Sequence, residues 1–397
     1  MQKMTVGDIE VEDKRVLVRV DFNVPLNEKT GAITDDSRIQ ATLPTIRYLV
    51  KKGAKVILCS HLGRPEGRVV AGLRLTAVGR RLSQILAKPV ATTADCIGPE
   101  VKKAVEKLAS GDILLLENVR FHVEEEENDP SFAQELAKLA DIYVNDAFGA
   151  AHRCHASIVG VAKYLPAVAG LLLEKEIKGL GSILGKPARP FAALLGGAKV
   201  SDKVGMVENI MDKVDLILIG GGMAATFLKA KGYETGLSLV ETDRLGTANE
   251  LMEKAAHNGV RLLLPLDAVV ADEIGAAVKV KVVPVEKIPP DFRIVDIGPR
   301  TIDTFSRELK GCKTVFWNGP LGIYEIARFA TGTQAMAKLL AYLTSTTIIG
   351  GGSTAEVVTE MELADKMTFV STGGGASLRF LSGKILPGVE VLIDKEV

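Results

Sequence analysis

The sequence has few cysteines and lacks a long hydrophobic run. Its four cysteines, Cys59, Cys96, Cys154 and Cys312, are scattered and form no C-x-x-C pair. Together with the lack of a recognisable secretory leader, this predicts a reduced, cytoplasmic compartment. No apolar run approaches the roughly 20 residues that a membrane-spanning helix needs. We therefore expect neither a disulfide framework nor a membrane partner.

The sequence also has no excess of charge of either sign. Basic and acidic residues number 49 each, so the net charge gives no reason to expect nucleic acid or an anionic membrane surface as a partner. With 397 residues, the chain exceeds the roughly 250–300 residues of a single core, and we expect two domains. Any charge that matters for function must be concentrated locally.

Short runs of Val, Ile and Leu alternate with longer helical patterns, which is typical of βαβ units and a parallel sheet. These runs fall in 15–24, 54–63, 111–121, 140–149, 190–203, 214–224, 260–270, 313–325, 346–358 and 368–380. Between the two halves, the apolar spacing of 165–190 predicts a helix that ends at glycines and prolines. The sequence thus predicts an α/β protein with two doubly wound, Rossmann-like parallel-sheet domains joined by a helical hinge.

In the first half, basic and short polar residues follow the predicted strands. Parallel strands place such residues at the carboxyl edge of the sheet, where open α/β folds bind ligands. Arginine forks bind phosphate or carboxylate in pairs of hydrogen bonds, so several converging arginines predict a compact polyanion. Any single arginine could instead pair with a nearby acid, and His61 could be structural. The residues concerned are Arg19, Asp21, Asn23, Arg38, His61, Arg64, Arg120 and Arg153.

In the second half, glycines follow the strands, in triplets at 220–222, 350–352 and 373–375. Glycine allows backbone N–H groups to approach an oxyanion, and a helix beginning there adds the positive end of its dipole. Each triplet alone could be a structural turn, but several at one edge favour phosphate binding. Lys199 and Lys203, four residues apart, would share one face if their segment is helical.

Other sites are less well supported. Two triplets fit the dinucleotide pattern G-x-G-x-x-A, but neither following strand ends in the acid that holds a ribose. A Walker loop is absent, because 181–187 has one residue too few between its glycines and ends in Pro187. His152 and His155 lack accompanying ligands at metal-site spacing. The acidic run 124–127 indicates a solvated loop or a helix start. A non-catalytic nucleotide-binding scaffold and another α/β kinase or dehydrogenase remain as alternatives.

Seven segments, in order along the chain, resemble the motif series of phosphoglycerate kinases. They are RVDFNVP, DDSRI, SHLGRP, ENVRF, GGAKVSDK, WNGPLGIYE and STGGGAS, spanning residues 19 to 377. The resemblance implies an N-terminal 3-phosphoglycerate-binding domain at 1–170, an interdomain helix and hinge at 171–186, and a C-terminal nucleotide-binding domain at 187–379. It also implies that the tail 380–397 returns to the N-terminal domain and that the protein is a monomer.

The resemblance implies reversible phosphoryl transfer from 1,3-bisphosphoglycerate to ADP, giving 3-phosphoglycerate and ATP. It assigns Arg38, Lys203, Gly373 and Gly374 to the transferred group. It assigns the acid substrate to Asp21, Asn23, Arg38, His61, Arg64, Arg120 and Arg153. It assigns the nucleotide to Gly197, Ala198, Lys199, Lys203, Asn318, Glu325, Gly350, Gly351, Gly352, Ser353 and Thr354.

One position departs from the family pattern. The family usually has Asp after the third glycine of the triplet, near the metal and the nucleotide phosphates, whereas this chain has Ser353. A hydroxyl is a poorer ligand for a hard cation than a carboxylate is. We therefore expect no direct metal ligand from the protein, with Mg²⁺ bound through the nucleotide phosphates and water.

Overall fold

The computed structural model describes residues 2–27, 29–275 and 277–396. The chain forms two compact units: unit 1 consists of Met1–Lys178 and Ile385–Val397, and unit 2 of Gly179–Lys384. The division between Lys178 and Gly179 falls inside the predicted connector 171–186. Among the described helices, none combines the length and the apolar character needed to cross a bilayer.

Unit 1 is built on a six-stranded parallel sheet with the order β3-β4-β2-β1-β5-β6. The central strands are almost wholly buried, as expected when helices cover both faces. All four runs predicted in the first half form strands, whereas the short outer strands β3 and β6 escaped prediction. The strands are β1 (Arg15–Arg19), β2 (Lys55–Cys59), β3 (Ala91–Thr92), β4 (Ile113–Leu115), β5 (Ile142–Asn145) and β6 (Ala167–Ala169).

The helices of unit 1 cover this sheet with their apolar faces. In the first helix, Ile39, Leu43, Ile46 and Leu49 are buried at helical spacing. The fifth begins at a side-chain cap, where Asp129 accepts a hydrogen bond from the Phe132 N–H at 2.8 Å. The helices are α1 (Ser37–Lys51), α2 (Thr76–Leu86), α3 (Pro99–Glu106), α4 (Val123–Glu127) and α5 (Pro130–Ala137).

The predicted connector contains the helix α6 (Leu171–Leu184), which follows β6 directly. Its first turn is anchored in unit 1 by Asp146, whose Oδ1 accepts from the N–H groups of Leu172 at 2.9 Å and Leu173 at 3.2 Å. Burial raises the pKa of Asp146 to about 6. The beginning of α6 is thus fixed by the loop that follows β5.

Unit 2 contains a second six-stranded parallel sheet, with the order β15-β14-β13-β7-β8-β9. Together with the sheet of unit 1, it confirms the predicted α/β class. Its strands are β7 (Phe191–Leu195), β8 (Leu216–Ile219), β9 (Arg261–Leu263), β13 (Thr314–Asn318), β14 (Thr346–Gly350) and β15 (Phe369–Val370).

Unit 2 also has a three-stranded antiparallel sheet that the sequence analysis did not anticipate. The run 260–270, interpreted as one strand, is divided at Pro265 between β9 and the antiparallel strand β10 (Asp267–Ala271). Proline cannot donate a ladder hydrogen bond, so it ends the first strand. The other two strands are β11 (Val280–Pro284) and β12 (Arg293–Ile297).

The helices of unit 2 pack around its parallel sheet, and three of them begin at the glycine segments. They are α7 (Val204–Ile210), α8 (Met223–Ala230), α9 (Leu245–His257), α10 (Pro299–Lys310), α11 (Thr331–Ala341), α12 (Gly352–Glu360) and α13 (Gly375–Leu381). The last helix, α14 (Pro387–Glu390), lies in the tail and belongs to unit 1.

The C-terminal residues 385–397 cluster with unit 1, whereas 380–384 belong to unit 2. Asn145 Nδ2 donates to the Gly388 carbonyl at 2.8 Å, and the Met4 N–H donates to Ile393 at 2.8 Å. The end of the chain is therefore hydrogen-bonded to the strand that carries Asn145 and to the N-terminal segment.

Candidate active site

Asp21 and Arg38 form the most direct contact at the carboxyl edge of the sheet in unit 1. Arg38, in the first turn of α1, donates from NH1 to Asp21 Oδ2 at 2.5 Å. A Cβ added at Gly149, after β5, would lie 2.5 Å from the same carboxylate oxygen, so a side chain there would displace the Asp21 carboxylate. Residues from the segments after β1 and β5 and from the first turn of α1 thus meet here, as the parallel topology predicts.

The backbone of Gly63 joins two further predicted residues. Its N–H donates to Asn23 Oδ1 at 2.8 Å, and its carbonyl accepts from Arg120 NH1 at 2.8 Å. The loops after β1, β2 and β4 are therefore connected through the backbone of one residue, Gly63. Asn23 and Arg120 are held in fixed positions relative to each other.

The Arg120 guanidinium is only 4 % exposed, yet its hydrogen bonds are incomplete. Its Nε lies 3.1 Å from Glu126 Oε1, close enough for an ion pair but without hydrogen-bond geometry. Its NH2 has no hydrogen-bond partner among the residues that the structure describes. Burial lowers the pKa of Arg120. A buried donor without an acceptor is costly, and an anionic oxygen would satisfy it.

His61 is buried beside the arginines and is held in one tautomer. Its Nδ1 lies 3.2 Å from NH2 of Arg19, and because a guanidinium only donates, Nδ1 must accept. Burial, together with nearby arginine charges, lowers the pKa of His61 well below its ordinary value. The neutral ring therefore carries its proton on Nε2, where it can donate to an anion.

Arg19 contacts His61 and is itself held in place by Ser157. It is 1 % exposed, and its Nε donates to Ser157 Oγ at 2.8 Å. Arg19, the last residue of β1, is among the basic residues that the sequence pattern assigns to the ligand edge. The resemblance to the family does not assign it to a substrate. Its contact with His61 connects residues 42 apart in the chain, which no local pattern reveals.

Ser157 also contacts Glu125, a member of the acidic run 124–127. Glu125 is fully buried and accepts from Ser157 Oγ at 2.6 Å and from the Ser157 N–H at 2.8 Å. Burial acts to raise the pKa of Glu125, but His155, Arg19 and Ser157 outweigh it and lower the pKa. The run does form a helix, α4, but the expectation that it is solvated is wrong for Glu125. This carboxylate is a counter-charge within the arginine network.

The two remaining arginines have fewer contacts. Arg153 is half-buried, and its charge acts on His61 and Arg120, lowering the pKa of both. Arg64 is exposed and makes no hydrogen bond or ion pair within the described parts of the chain. Both guanidiniums are available to a ligand. The structure brings the predicted basic residues to one edge, with Arg64 the least constrained.

In unit 2, the central contact is between Lys203 and Asn318. The Lys203 ammonium is 7 % exposed and donates to Asn318 Oδ1 at 2.5 Å. No carboxylate of the described residues lies within ion-pair distance of it. Burial lowers the pKa of Lys203 to about 8. The segment before Lys203 is a turn, and α7 begins only at Val204, so the helical face that Lys199 was expected to share does not form.

Glycines let three loops of unit 2 approach one another around Lys203. Gly197, with φ +88°, donates its N–H to the Pro320 carbonyl at 2.7 Å, and a Cβ added at Gly197 would lie 3.7 Å from Lys203 Nζ. A Cβ at Gly319 would lie 2.4 Å from Gly196, and one at Gly221 would lie 2.6 Å from Gly197. Triplet 220–222 therefore serves close packing of loops, contrary to the phosphate role expected of it.

Triplet 350–352 is open at its third glycine, unlike triplet 220–222. Gly351, with φ +91°, precedes α12, and no side chain caps this helix. A Cβ at Gly352 would meet nothing within 4 Å. Thr354 is buried, and its hydroxyl accepts from the Gly319 N–H at 2.7 Å. The exposed Ser353 hydrogen-bonds to the Tyr324 hydroxyl, which donates to Glu356 at 2.8 Å.

The other residues assigned to the nucleotide and the transferred group are more accessible. Ala198, Lys199 and Glu325 are exposed. The buried Gly373 donates its N–H to Ser371 Oγ at 3.1 Å, and Gly374 adopts φ +49° just before α13.

Comparison with known proteins identifies the family of this chain. The family model described as phosphoglycerate kinase matches residues 6–384. The chain belongs to the phosphoglycerate kinase family. This confirms the resemblance found in the sequence, and with it the class of enzyme: a phosphotransferase with a carboxyl group as acceptor.

Individual relatives cover the full chain. Phosphoglycerate kinase of Moorella thermoacetica is 55 % identical over 395 residues, and that of Dictyoglomus turgidum is 56 % identical over 399, each with complete coverage of both chains. The structure of phosphoglycerate kinase from Coxiella burnetii has a TM-score of 0.87 at 41 % identity, covering 98 % of both chains. The family fold therefore extends over both units.

The lowered pKa of Lys203 predicts how nucleotide binding by this family member depends on pH. Above a pH of about 8, a growing fraction of the free protein has an uncharged Lys203, so affinity for ADP should fall as the pH rises from 7 to 9. Isothermal titration calorimetry at successive pH values measures this. In Lys203→Met, binding should be weaker and constant over the same range; a wild-type profile as constant as that of the variant contradicts the prediction.

Proposed function

We propose that the chain transfers a phosphoryl group reversibly between 1,3-bisphosphoglycerate and ADP, with the acid substrate bound by unit 1 and the nucleotide by unit 2. Family membership supports the reaction. The observation that carries the residue assignment is the buried Lys203 ammonium, whose described partner is only an amide oxygen. A buried cation without a counter-ion is unfavourable, and the phosphates of a nucleotide would supply the missing charge.

The chemistry requires no general base. In the direction that consumes ATP, the nucleophile is the carboxylate of 3-phosphoglycerate, which is already ionised at neutral pH. The protein must therefore supply in-line positioning and positive charge around the transferring group. Arginines, a neutral histidine and a lysine meet this requirement without a triad.

In unit 1, we assign the phosphate and carboxylate of the acid substrate to donors that the structure leaves incompletely paired. Arg120 offers its free NH2, and His61 offers its Nε2 proton. Asp21, which accepts a hydrogen bond from Arg38, would accept another from the substrate hydroxyl. Burial acts to raise the pKa of Asp21, but the charges of Arg38 and Arg19, with the hydrogen bond from the Asn23 N–H, lower it. The acid-substrate set is Asp21, Asn23, Arg38, His61, Arg64, Arg120 and Arg153.

In unit 2, we assign the nucleotide to the loops around Lys203 and to the beginning of α12. The open N-terminus of α12, uncapped by any side chain, can donate N–H groups to a phosphate. The turn at Gly373 and Gly374 would donate to the transferring group. The nucleotide set is Gly197, Ala198, Lys199, Lys203, Asn318, Glu325, Gly350, Gly351, Gly352, Ser353 and Thr354.

Replacing Arg38 tests the assignment of charge to the transferring group. We expect Arg38→Ala to lower kcat by about 10²–10³-fold, as loss of one transition-state donor does, with little change in substrate affinity. The measurement is a coupled, ADP-dependent assay with 1,3-bisphosphoglycerate. Arg81→Ala is the matched control, because Arg81 pairs with Asp36 outside the assigned site, and it should retain wild-type kcat.

The outcome of the same assay separates two roles of Arg38. Loss of substrate affinity with kcat intact would assign Arg38 to anchoring the substrate. Absence of transfer in the wild-type protein, with either substrate still bound, would contradict the proposed reaction itself.

Transfer between substrates held on separate units requires closure. Arg38 belongs to unit 1 and Lys203 to unit 2, and both can act on one phosphoryl group only when the units approach. Closure would also exclude water that hydrolyses the acyl phosphate. We expect small-angle scattering to show a smaller radius of gyration with both substrates than with either one alone. An unchanged radius in the ternary complex contradicts closure.

The same scattering data should give the mass of a monomer, as the resemblance to the family implies.

Magnesium would be bound through the nucleotide phosphates. The side chains near Ser353 fit this arrangement. The neighbouring carboxylate, that of Glu356, already accepts a hydrogen bond from the Tyr324 hydroxyl, and we do not assign it to the metal. We expect Ser353→Asp, which adds a carboxylate ligand, to lower the Mg²⁺ concentration needed for half-maximal ADP binding. Calorimetric titration of ADP at fixed Mg²⁺ concentrations measures the change. An identical Mg²⁺ requirement in the two proteins would indicate that residue 353 does not face the metal.

A further inference from the structure

Three potential metal ligands of unit 1 lie together outside the assigned site. One ligand atom from each of Asp95, Cys96 and His122 lies within 4.8 Å of the other two. His122 Nε2 is 2.7 Å from Asp95 Oδ1, and the same oxygen accepts from the Cys96 N–H at 2.6 Å. The cluster contains a thiol, an imidazole and a carboxylate.

The Cys96 thiol is the part of this cluster that hydrogen bonding does not explain. It is fully buried, forms no disulfide, and has no hydrogen-bond partner among the other residues that the structure describes. It adjoins Asp95 in the chain and lies within ligand reach of His122. A buried, unpartnered sulfur beside an imidazole and a carboxylate therefore points to a ligand.

We propose that Asp95, Cys96 and His122 bind a thiophilic divalent cation of the Zn²⁺ class, with water as the fourth ligand. Thiolate, imidazole and carboxylate together favour such a cation over Mg²⁺. With metal–ligand bonds of about 2.0–2.3 Å, tetrahedral donors lie about 3.3–3.8 Å apart. When the metal binds, the 2.7 Å distance between His122 Nε2 and Asp95 Oδ1 must therefore lengthen slightly. Any distance between ligand atoms that exceeds this range must shorten.

The surroundings of the cluster provide both support and access. The Thr93 hydroxyl donates to the Asp95 carbonyl at 2.7 Å, and the His122 ring packs against Phe132 at 5.2 Å between centroids. The Asp95 side chain is 53 % exposed and that of His122 is 26 % exposed, so a hydrated ion can enter from solvent. The ion would join the loop after β3 to the turn after β4, which also carries Arg120.

Metal binding removes the thiol proton of Cys96 and replaces the hydrogen bond between His122 and Asp95 with bonds to the metal. The Cys96 thiol loses its proton to solvent as the metal–sulfur bond forms. The ligating nitrogen of the neutral His122 ring gives up its hydrogen bond to Asp95, and the ring proton resides on the other nitrogen. No electron is transferred, so neither an oxidant nor a reductant is needed.

Cobalt substitution tests the site directly. Co²⁺ added to the full-length protein without nucleotide should produce a thiolate-to-cobalt charge-transfer band in the near ultraviolet, saturating at one equivalent. Zn²⁺ should abolish the band by displacement. Cys96→Ser should eliminate the band, and His122→Gln should weaken Co²⁺ binding at least tenfold, a typical loss on altering a metal site. Both variants should retain the wild-type kcat.

The matched control is Cys154→Ser, because Cys154 is exposed and lies between His152 and His155. That variant should keep the full band. A band lost in Cys154→Ser but kept in Cys96→Ser overturns the proposal, and so does the absence of any thiolate band in the wild-type protein. If Cys96→Ser does not fold, His122→Gln, which retains the thiol, decides between the outcomes.

Discussion

The positive charge buried at the carboxyl edges of the two parallel sheets is the constraint on which the rest of the structure depends. Arg19 and Arg120 in unit 1 and Lys203 in unit 2 are each more than nine-tenths buried. Burial alone disfavours charge, and it lowers the pKa of both Arg120 and Lys203. The surrounding side chains offset this only in part, and anionic substrates would complete the compensation.

The two units meet this constraint differently. Unit 1 keeps carboxylates inside the network: Glu125 contacts Ser157, which in turn accepts from Arg19, while Glu126 lies beside Arg120. Unit 2 gives Lys203 only a neutral amide oxygen. Unit 1 therefore compensates part of its positive charge with its own carboxylates, whereas Lys203 has no carboxylate partner among the described residues.

Glycine has two separate uses at the edge of unit 2. At Gly196, Gly221 and Gly319 it allows backbones to approach so closely that any Cβ would collide. At Gly352 it leaves the first turn of α12 open. Both uses produce the same sequence pattern, because positive φ and the absence of a side chain are required in each. The two uses differ in what lies next to the glycine. It is another backbone segment in the first use, and no atom within 4 Å of a Cβ at Gly352 in the second.

The sequence alone determined the parallel strands, the α/β class, the family and the positions of the basic and glycine-rich segments, because apolar periodicity and residue type act locally along the chain. Tertiary structure decided the rest. It divided 260–270 between two sheets, buried Glu125 against Ser157, and oriented His61 through Arg19. It also placed Cys96 beside His122. These partners are 26 to 42 residues apart in sequence, and only strand order and packing bring such distant groups within hydrogen-bond or ligand distance.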